Sequence, residues 1–387
     1  MHLFPVFLLV MNALALLALR GALPVLRTRA FVAGYVVATL LSVFPWAALA
    51  FGGWDALEMY GAATSLVWSI SIAWNVSVTL LVFSWPVWRL LVAAASRGAA
   101  HLQPDEDRRR VLRRAGLLVP MGGLAFGTSG VAAAGFRPFV RRLTLQWPDL
   151  PEGLDGFKVG QFSDVHVGPF VSPAQVAAGI QALNDEKVDV VVMTGDLHDD
   201  NAFMPAINEA FRLVTAPHGL IGILGNHEYY AGVREYLDHV RQGPMRLLVD
   251  DAMVLERNGA RLHLSGVDYP FQGLDGPAEA ASRSVAKALQ SAQPGDFKLC
   301  LAHHPTCWDE ARRHGVHLTL SGHTHGGQVA VGGRSVFRDV FKYMLGLYED
   351  GPQRLFVTGG LGHWFPFRLG CPPEVVVIEL KRGTTSA

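Results

Sequence analysis

Ser321-Gly322-His323-Thr324-His325-Gly326-Gly327 follows directly on the apolar, β-favouring run Val316 to Leu320. Such a run predicts a strand. Ending in a small residue and then His-x-His, it delivers two imidazoles to the lip of a sheet, where glycines let backbone approach a ligand. Neutral imidazole is the commonest protein metal ligand, and a metal site needs further ligands from elsewhere in the chain.

Those ligands stand in matching settings upstream. Phe157 to Phe162 runs into Ser163-Asp164-Val165-His166, and Val188 to Met193 ends in Thr194-Gly195-Asp196. Leu220 to Leu224 ends in Gly225-Asn226-His227-Glu228, and Lys298 to Ala302 runs into His303-His304-Pro305. A helix from Ser172, with proline at its first position and Gln175 completing a capping box, runs to about Glu186. Helices near Val233 to Val240 and Ala278 to Gln290, and a strand over Leu262 to Val267, continue the alternation. Buried strands separated by helices give an α/β layered domain.

Ligands of open α/β sheets bind beyond the carboxyl ends of the strands. Five strand ends carry polar groups: Asp164 with His166, Asp196, Asn226 with His227, His303 or His304, and His323 with His325. Each alone has an ordinary explanation, a turn-forming Asp or a satisfied core His. Their coincidence points to metal. Mixed Asp, Asn and His donors suit Mn, Fe or Zn, whereas an all-oxygen set suits Mg or Ca. The total is enough for two ions if a carboxylate bridges them, and two ions clamp the entering and leaving oxygens of a phosphoryl displacement, so phosphoester hydrolysis is the natural chemistry.

The 387 residues have zero formal charge, half are hydrophobic and 17% are charged. The apolar excess lies almost wholly before residue 136. Neutral charge gives no support for nucleic-acid binding, and none is expected. Cys300, Cys307 and Cys371 contain no CxxC pair and are poor evidence for a disulfide framework.

Four apolar stretches, 3–19, 31–51, 66–95 and 117–135, each come near the ~20 residues a helix needs to cross a bilayer, and none contains an acidic residue. Trp46, Trp54, Trp68, Trp74, Trp85 and Trp88 fit an interfacial belt. The expected organisation is a four-helix transmembrane region over 1–140 and a catalytic domain over 141–387. Arg20, Arg27 and Arg29 in the first connection, and Arg97, Arg108, Arg109, Arg110, Arg113 and Arg114 in the third, lie opposite an acidic second connection with Asp55 and Glu58. The positive-inside rule then places the termini outside, in an inner or plasma membrane with the catalytic domain on the extracytoplasmic side. Arg137, Arg141 and Arg142 pull the other way. Arg113-Arg114 before the fourth stretch also resembles a twin-arginine export signal, which gives the same side.

The order Asp-x-His, Gly-Asp, Gly-Asn-His-Glu, His-x-Pro and Gly-His-Thr-His resembles the calcineurin-like metallophosphoesterase superfamily over about Phe157 to Leu380. Gly-His-Thr-His-Gly-Gly-Gln at Gly322 to Gln328, Gly346-Leu347-Tyr348, Gly360-Leu361-Gly362, Pro366-Phe367-Arg368 and Pro372-Pro373-Glu374 are similar to its membrane-attached or exported bacterial branch. The resemblance implies a four-layer α/β/β/α sandwich. It implies one ion held by Asp164, His166, Asp196 and His325, and a second by Asp196, Asn226, His303 and His323, with Asp196 as the bridge. A metal-bridging hydroxide would attack, and His227 would face the leaving oxygen as general acid. His303 is preferred to His304 because the family pattern leaves one residue between ligand and proline.

Some residues stand outside that pattern. His198 and Asp199 read as a solvated loop in preference to outer partners that orient a ligand, Tyr269 replaces an acidic residue often found there, and His363 reads as a packing or loop residue rather than a ligand. Ala330 to Tyr348 interleaves Arg334, Phe337, Arg338, Phe341, Lys342 and Tyr343, which suits either a phosphate headgroup at a membrane or a solvated amphipathic segment. The expected protein is a membrane-anchored hydrolase of an envelope- or lipid-associated phosphoester. Two alternatives are a pyrophosphate hydrolase resembling the UDP-2,3-diacylglucosamine hydrolases of lipid A synthesis, disfavoured by the outside placement, and a non-catalytic sensor or scaffold, disfavoured by the full ligand set.

Overall fold

The computed structural model describes residues 3–22, 24–52, 63–97, 118–134, 137–269 and 277–383. The chain divides into two compact units, Met1–Gly135 and Phe136–Ala387.

The first unit is helical: α1 (Phe4–Ala22), α2 (Arg29–Gly52), α3 (Thr64–Arg97) and α4 (Leu118–Ala134). Two of these are long and apolar enough to cross a membrane, α2 and the Leu66–Leu90 portion of α3. The expectation of four spans is corrected to two long helices and a shorter apolar one, Phe4–Arg20. The reason is length. α4 has 17 described residues, about 25 Å at about 1.5 Å per residue, and the residues on either side of it lie outside the described ones, so it is not counted among the long helices. The Arg108–Arg114 cluster, the Trp54, Asp55 and Glu58 connection, and Gly135 lie outside the described residues.

Polar groups inside this unit satisfy one another. Trp74 Nε1 and Thr39 Oγ1 donate to Asn12 Oδ1 at 2.8 and 3.1 Å, and Asn12 Nδ2 donates to Asn75 Oδ1 at 3.1 Å. Such bonds hold apolar helices together where water cannot compete. Gly123 and Gly127 on α4 lie against α3, where a Cβ on Gly127 would come within 2.5 Å of Ala73 O. This is the close approach that small residues four apart allow.

The second unit opens with β1 (Phe139–Trp147), β2 (Lys158–Phe162), α5 (Pro173–Asp185), β3 (Val190–Met193), α6 (Met204–Phe211) and β4 (Leu220–Gly222). α7 (Asn226–Ala231), α8 (Val233–Gln242), β5 (Arg246–Leu247), β6 (Asp251–Arg257), β7 (Ala260–Gly266), α9 (Pro277–Ala288), β8 (Phe297–Leu301) and α10 (Trp308–Ala311) follow. The unit closes with β9 (Leu318–Ser321), a hairpin of β10 (Ala330–Val331) and β11 (Arg334–Ser335), then β12 (Gly346–Asp350), β13 (Gln353–Val357) and β14 (Glu374–Arg382). One six-stranded sheet runs β1-β14-β2-β3-β4-β5, the other β12-β13-β9-β8-β7-β6.

Side-chain alternation builds the layers. In β3, Val190 and Val192 join a core shared by both sheets, while Val191 and Met193 face a second core with Ile180 of α5, Ile207 of α6 and Val240 of α8. In β8, Phe297, Leu299 and Leu301 face the shared core, and Cys300 faces Val285 of α9 and Ala311 of α10. Strands buried on both faces have one apolar set pointing each way, with helices over the outer faces. β2, β3 and β4 run parallel in one sheet, β8 and β9 in the other. Their carboxyl ends carry the polar residues.

Candidate metal centre

The loops beyond β2, β3, β8 and β9 and the start of α7 bring all eight predicted site residues together. His166 Nε2 lies 3.0 Å from His325 Nε2, and His325 Nε2 lies 3.6 Å from Asp164 Oδ1. Asp196 Oδ2 stands between two groups, 3.8 Å from His166 Nε2 and 3.2 Å from His303 Nε2. Asn226 Oδ1 is 3.2 Å from His303 Nε2 and 3.0 Å from His323 Nδ1. Among the described residues, three overlapping groups could hold a metal ion: Asp164, His166 and His325; His166, Asp196 and His227; and Asp196, His303 and His323.

The backbone is bent to achieve this. Asp164, His166, Asp196, His323 and His325 all adopt positive φ, between 50° and 71°. Residues with a Cβ seldom do so, and such conformations persist where surrounding structure enforces them. Glycines provide the clearance: a Cβ on Gly322 would lie 2.0 Å from Asp164 Oδ2, and one on Gly225 2.2 Å from Asp196 Oδ1. The Glu228 carboxylate fixes the Asp196 loop by accepting the backbone N–H of Asp196, Leu197 and Gly225 at 3.1, 2.7 and 2.6 Å.

The residues fit divalent metal. The far ring nitrogens are occupied: Asp199 Oδ1 lies 2.9 Å from His166 Nδ1, and Thr194 O 2.7 Å from His303 Nδ1. Each acceptor holds a proton on Nδ1, so Nε2 faces the cluster and is the nitrogen that ligates once deprotonated, the arrangement by which outer partners orient ligating imidazoles. Asp164 Oδ2 is buried without a hydrogen-bond partner among the described residues. The nitrogen and oxygen donors suit borderline transition ions.

Electrostatics point the same way. Burial disfavours charge on His166, but Asp199 outweighs it and lifts the imidazole to about 9. Burial is likewise outweighed at His303, which Asp196 lifts to about 10. Burial and the neighbouring His303 push His323 down to about 2, and burial with His166 drives His325 well below its ordinary value. Burial raises Asp164, whereas His303 overcomes burial at Asp196 and holds it well below the carboxylate range. The buried carboxylates thus require positive charge, and in the metal-free chain protons on His166 and His303 supply it.

Four residues have clearer places in the structure than in the sequence. Asp199 does not lie in a solvated loop: its Oδ1 is shared by His166 Nδ1 at 2.9 Å and His227 Nδ1 at 2.7 Å. His198 is fully buried against Tyr236, with centroids 5.2 Å apart, and burial lowers it to about 4. The solvated-loop expectation is corrected for both, because Leu197 beside them is anchored in the core and turns the loop inward. Arg368, quoted above only as part of a motif, is fully buried, and its guanidinium donates to Gly359 O at 2.8 Å and sits 3.3 Å from His325 Nδ1. Tyr269 stands over His303 and His323, with centroids 6.0 and 6.1 Å away. His304 turns aside to Thr306 Oγ1 at 2.7 Å, and His363 is buried outside the three groups.

The model of the calcineurin-like phosphoesterase family matches residues 157–327. An uncharacterized metallophosphoesterase of Aquifex aeolicus (strain VF5) is 30% identical over 249 residues, 62% of this chain and 91% of that protein. The uncharacterized metallophosphoesterase YkuE of Bacillus subtilis (strain 168) is 28% identical over 70% of this chain and 99% of its own length. A Bos taurus protein described as a transmembrane protein with metallophosphoesterase domain is 27% identical over 76% of this chain and 68% of its own.

Proposed function

Given that the chain belongs to the calcineurin-like metallophosphoesterase family, we propose that it is a membrane-anchored, two-metal phosphoesterase acting on an envelope- or lipid-associated phosphoester. The observation that carries the reading is Asp196 standing between two groups of buried histidines. Asp164, His166, Asp196 and His325 would hold one divalent ion, and Asp196, Asn226, His303 and His323 the other, with Mn, Fe or Zn as the ions the donors suit. Such a pair supplies Lewis-acid charge against the phosphoryl oxygens and a nucleophile at neutral pH.

The chain's own residues supply the rest. His227 is the proposed general acid: Asp199 holds its Nδ1, which leaves Nε2 to protonate the departing oxygen. Tyr230 and Trp364 stand near its ring, with centroids 5.4 and 6.4 Å away. Asp196 is tied at its other oxygen, where Oδ1 accepts the His227 backbone N–H at 2.9 Å, so acid and bridging carboxylate move as one piece.

The membrane part of the reading draws on the two long apolar helices and on the relatives described as transmembrane proteins with this domain. The charge distribution of the first 142 residues supports an extracytoplasmic catalytic domain if the apolar stretch 117–135 crosses as well; if the last crossing is the Leu66–Leu90 helix, the same rule leaves the domain on the cytoplasmic side with Arg97 to Arg114. A reporter fused after Ala387 tests the side: activity only in the cytoplasm would reverse the orientation and return weight to a lipid A-type pyrophosphate substrate. Catalysis is tested by stripping the full chain of metal in detergent, restoring Mn or Zn, and measuring hydrolysis of bis-p-nitrophenyl and p-nitrophenyl phosphate. Metal-restored turnover is expected, and metal binding without cleavage of any phosphoester would overturn the reading.

A further inference from the structure

Beyond the His323–Gln328 loop the chain forms the β10–β11 hairpin and then a run of turns to Leu345. Its feet are fixed in the domain. Thr324 Oγ1 donates to Met344 O, Tyr343 OH to Asp309 Oδ1 at 2.8 Å, and the Ala330 N–H to Leu369 O at 2.8 Å. Phe337 lies over Gly327, where a Cβ would come within 2.4 Å of its ring. This segment is therefore a fixed part of the lip of the metal centre.

Its outer surface is unusual. Val331 and Val340 are 71% and 67% exposed, and Val336, Phe337 and Phe341 are exposed as well. Between them stand Arg334, Arg338 and Lys342 against one acidic residue, Asp339, so 329–345 carries three cations less one anion, a net +2. Lys342 pairs with Asp309 at 2.7 Å, but among the described residues Arg338 pairs only with its neighbour Asp339, at 3.7 Å. Arg334 has no ion pair among the described residues. Single exposed apolar side chains are ordinary; a contiguous apolar row interleaved with cations is the composition of an interfacial anchor.

We propose that segment 329–345 docks on an anionic lipid surface and seats the lip of the metal centre against the headgroups. This rests on the reading of the chain as a membrane-anchored phosphoesterase and specifies where its substrate is met. The occupant follows from two observations. The net positive charge complements an anionic leaflet, and the same chain carries two helices long and apolar enough to cross a membrane, which on that reading tether the segment to a bilayer. The apolar side chains then bury in the acyl boundary while the arginines pair with phosphates.

The test uses the full chain in nanodiscs, with Val340→Cys carrying an environment-sensitive fluorophore. Cys300, Cys307 and Cys371 are buried, so the introduced thiol is the reactive one. In discs containing phosphatidylglycerol, the emission is expected to shift to the blue and to be quenched by nitroxide-bearing lipid. A label at Glu209→Cys, on a side chain 73% exposed, stays water-like. Changing Arg334 and Arg338 together to Ala should lower the docked-to-free ratio by roughly 30-fold at low salt. The proposal is overturned if the label at 340 matches that at 209 in anionic discs. It is equally overturned if the shift appears without lipid and grows with protein concentration, the mark of a protein contact. Turnover is not needed for this readout, so a failure of docking and a failure of catalysis are separately visible.

Discussion

Replacing Asp199 with Asn tests how the centre is organised, because one oxygen serves two imidazoles. Asp199 Oδ1 lies 2.9 Å from His166 Nδ1 and 2.7 Å from His227 Nδ1. Asparagine keeps the shape and loses the charge. Exchanging a charge-assisted hydrogen bond for a neutral one removes about 1–2 kcal/mol, roughly 5–30-fold, at each imidazole. For His166 the loss is read as metal affinity, where removal of an outer partner typically costs about 10–100-fold. For His227 it is read as leaving-group dependence. At saturating metal, an alkyl phosphoester should lose about 5–30-fold in kcat/KM, whereas a p-nitrophenyl ester, whose phenolate departs unprotonated, should change little. Calorimetric metal titration of the stripped full chain and paired substrate kinetics provide both readouts. Unchanged metal affinity, or an equal loss with both leaving groups, would refute the reasoning.

Further outcomes follow from the same geometry. Gly225→Ala places a Cβ 2.2 Å from Asp196 Oδ1 at a φ of −108° that alanine accepts, so metal stoichiometry should fall while circular dichroism retains the fold. Glu228→Gln turns an amide NH₂ toward backbone N–H donors and should destabilise the domain by about 1–3 kcal/mol, seen as a lower thermal midpoint, about 2–4 °C per kcal/mol for a domain this size. Metal affinity should rise with pH: His166 and His303 titrate near 9 and 10 in the metal-free chain, so below pH 9 both protons must leave before Nε2 can ligate. Two protons released give up to about 100-fold per pH unit between 7 and 9, flattening above. Calorimetry in buffers of different ionisation enthalpy counts the protons; none released would contradict the assignment.

The alternation that made β2, β3 and β8 legible is a local property, since their side chains face a core on both sides. β1 was not read as a strand because Arg141 and Arg142 interrupt its apolar pattern, and its partner β14 lies more than 200 residues away, with Phe139 opposite Glu374. The polar residues at strand ends were legible because sheet topology sends them to one edge. Asp199 is only partly legible, as a loop residue or an outer partner of a ligand, since a carboxylate in a turn gives no local sign of the two imidazoles that meet it from elsewhere in the fold. Its spacing of three from Asp196 was the only available signal. The count of spans differs for another reason: an apolar run sets composition, whereas a span is counted on its helical residues, of which α4 has 17 among the described ones.

The central claim is that Asp196 joins two ions into one hydrolytic centre. The most direct measurement is turnover of bis-p-nitrophenyl phosphate by the stripped full chain against equivalents of Mn added, beside the same titration of Asp196→Asn. Activity should rise to a plateau at two ions per chain, and the variant should lose tight binding and turnover together. A plateau at one ion, or an Asp196→Asn chain that still turns over at the unaltered rate, would contradict the account.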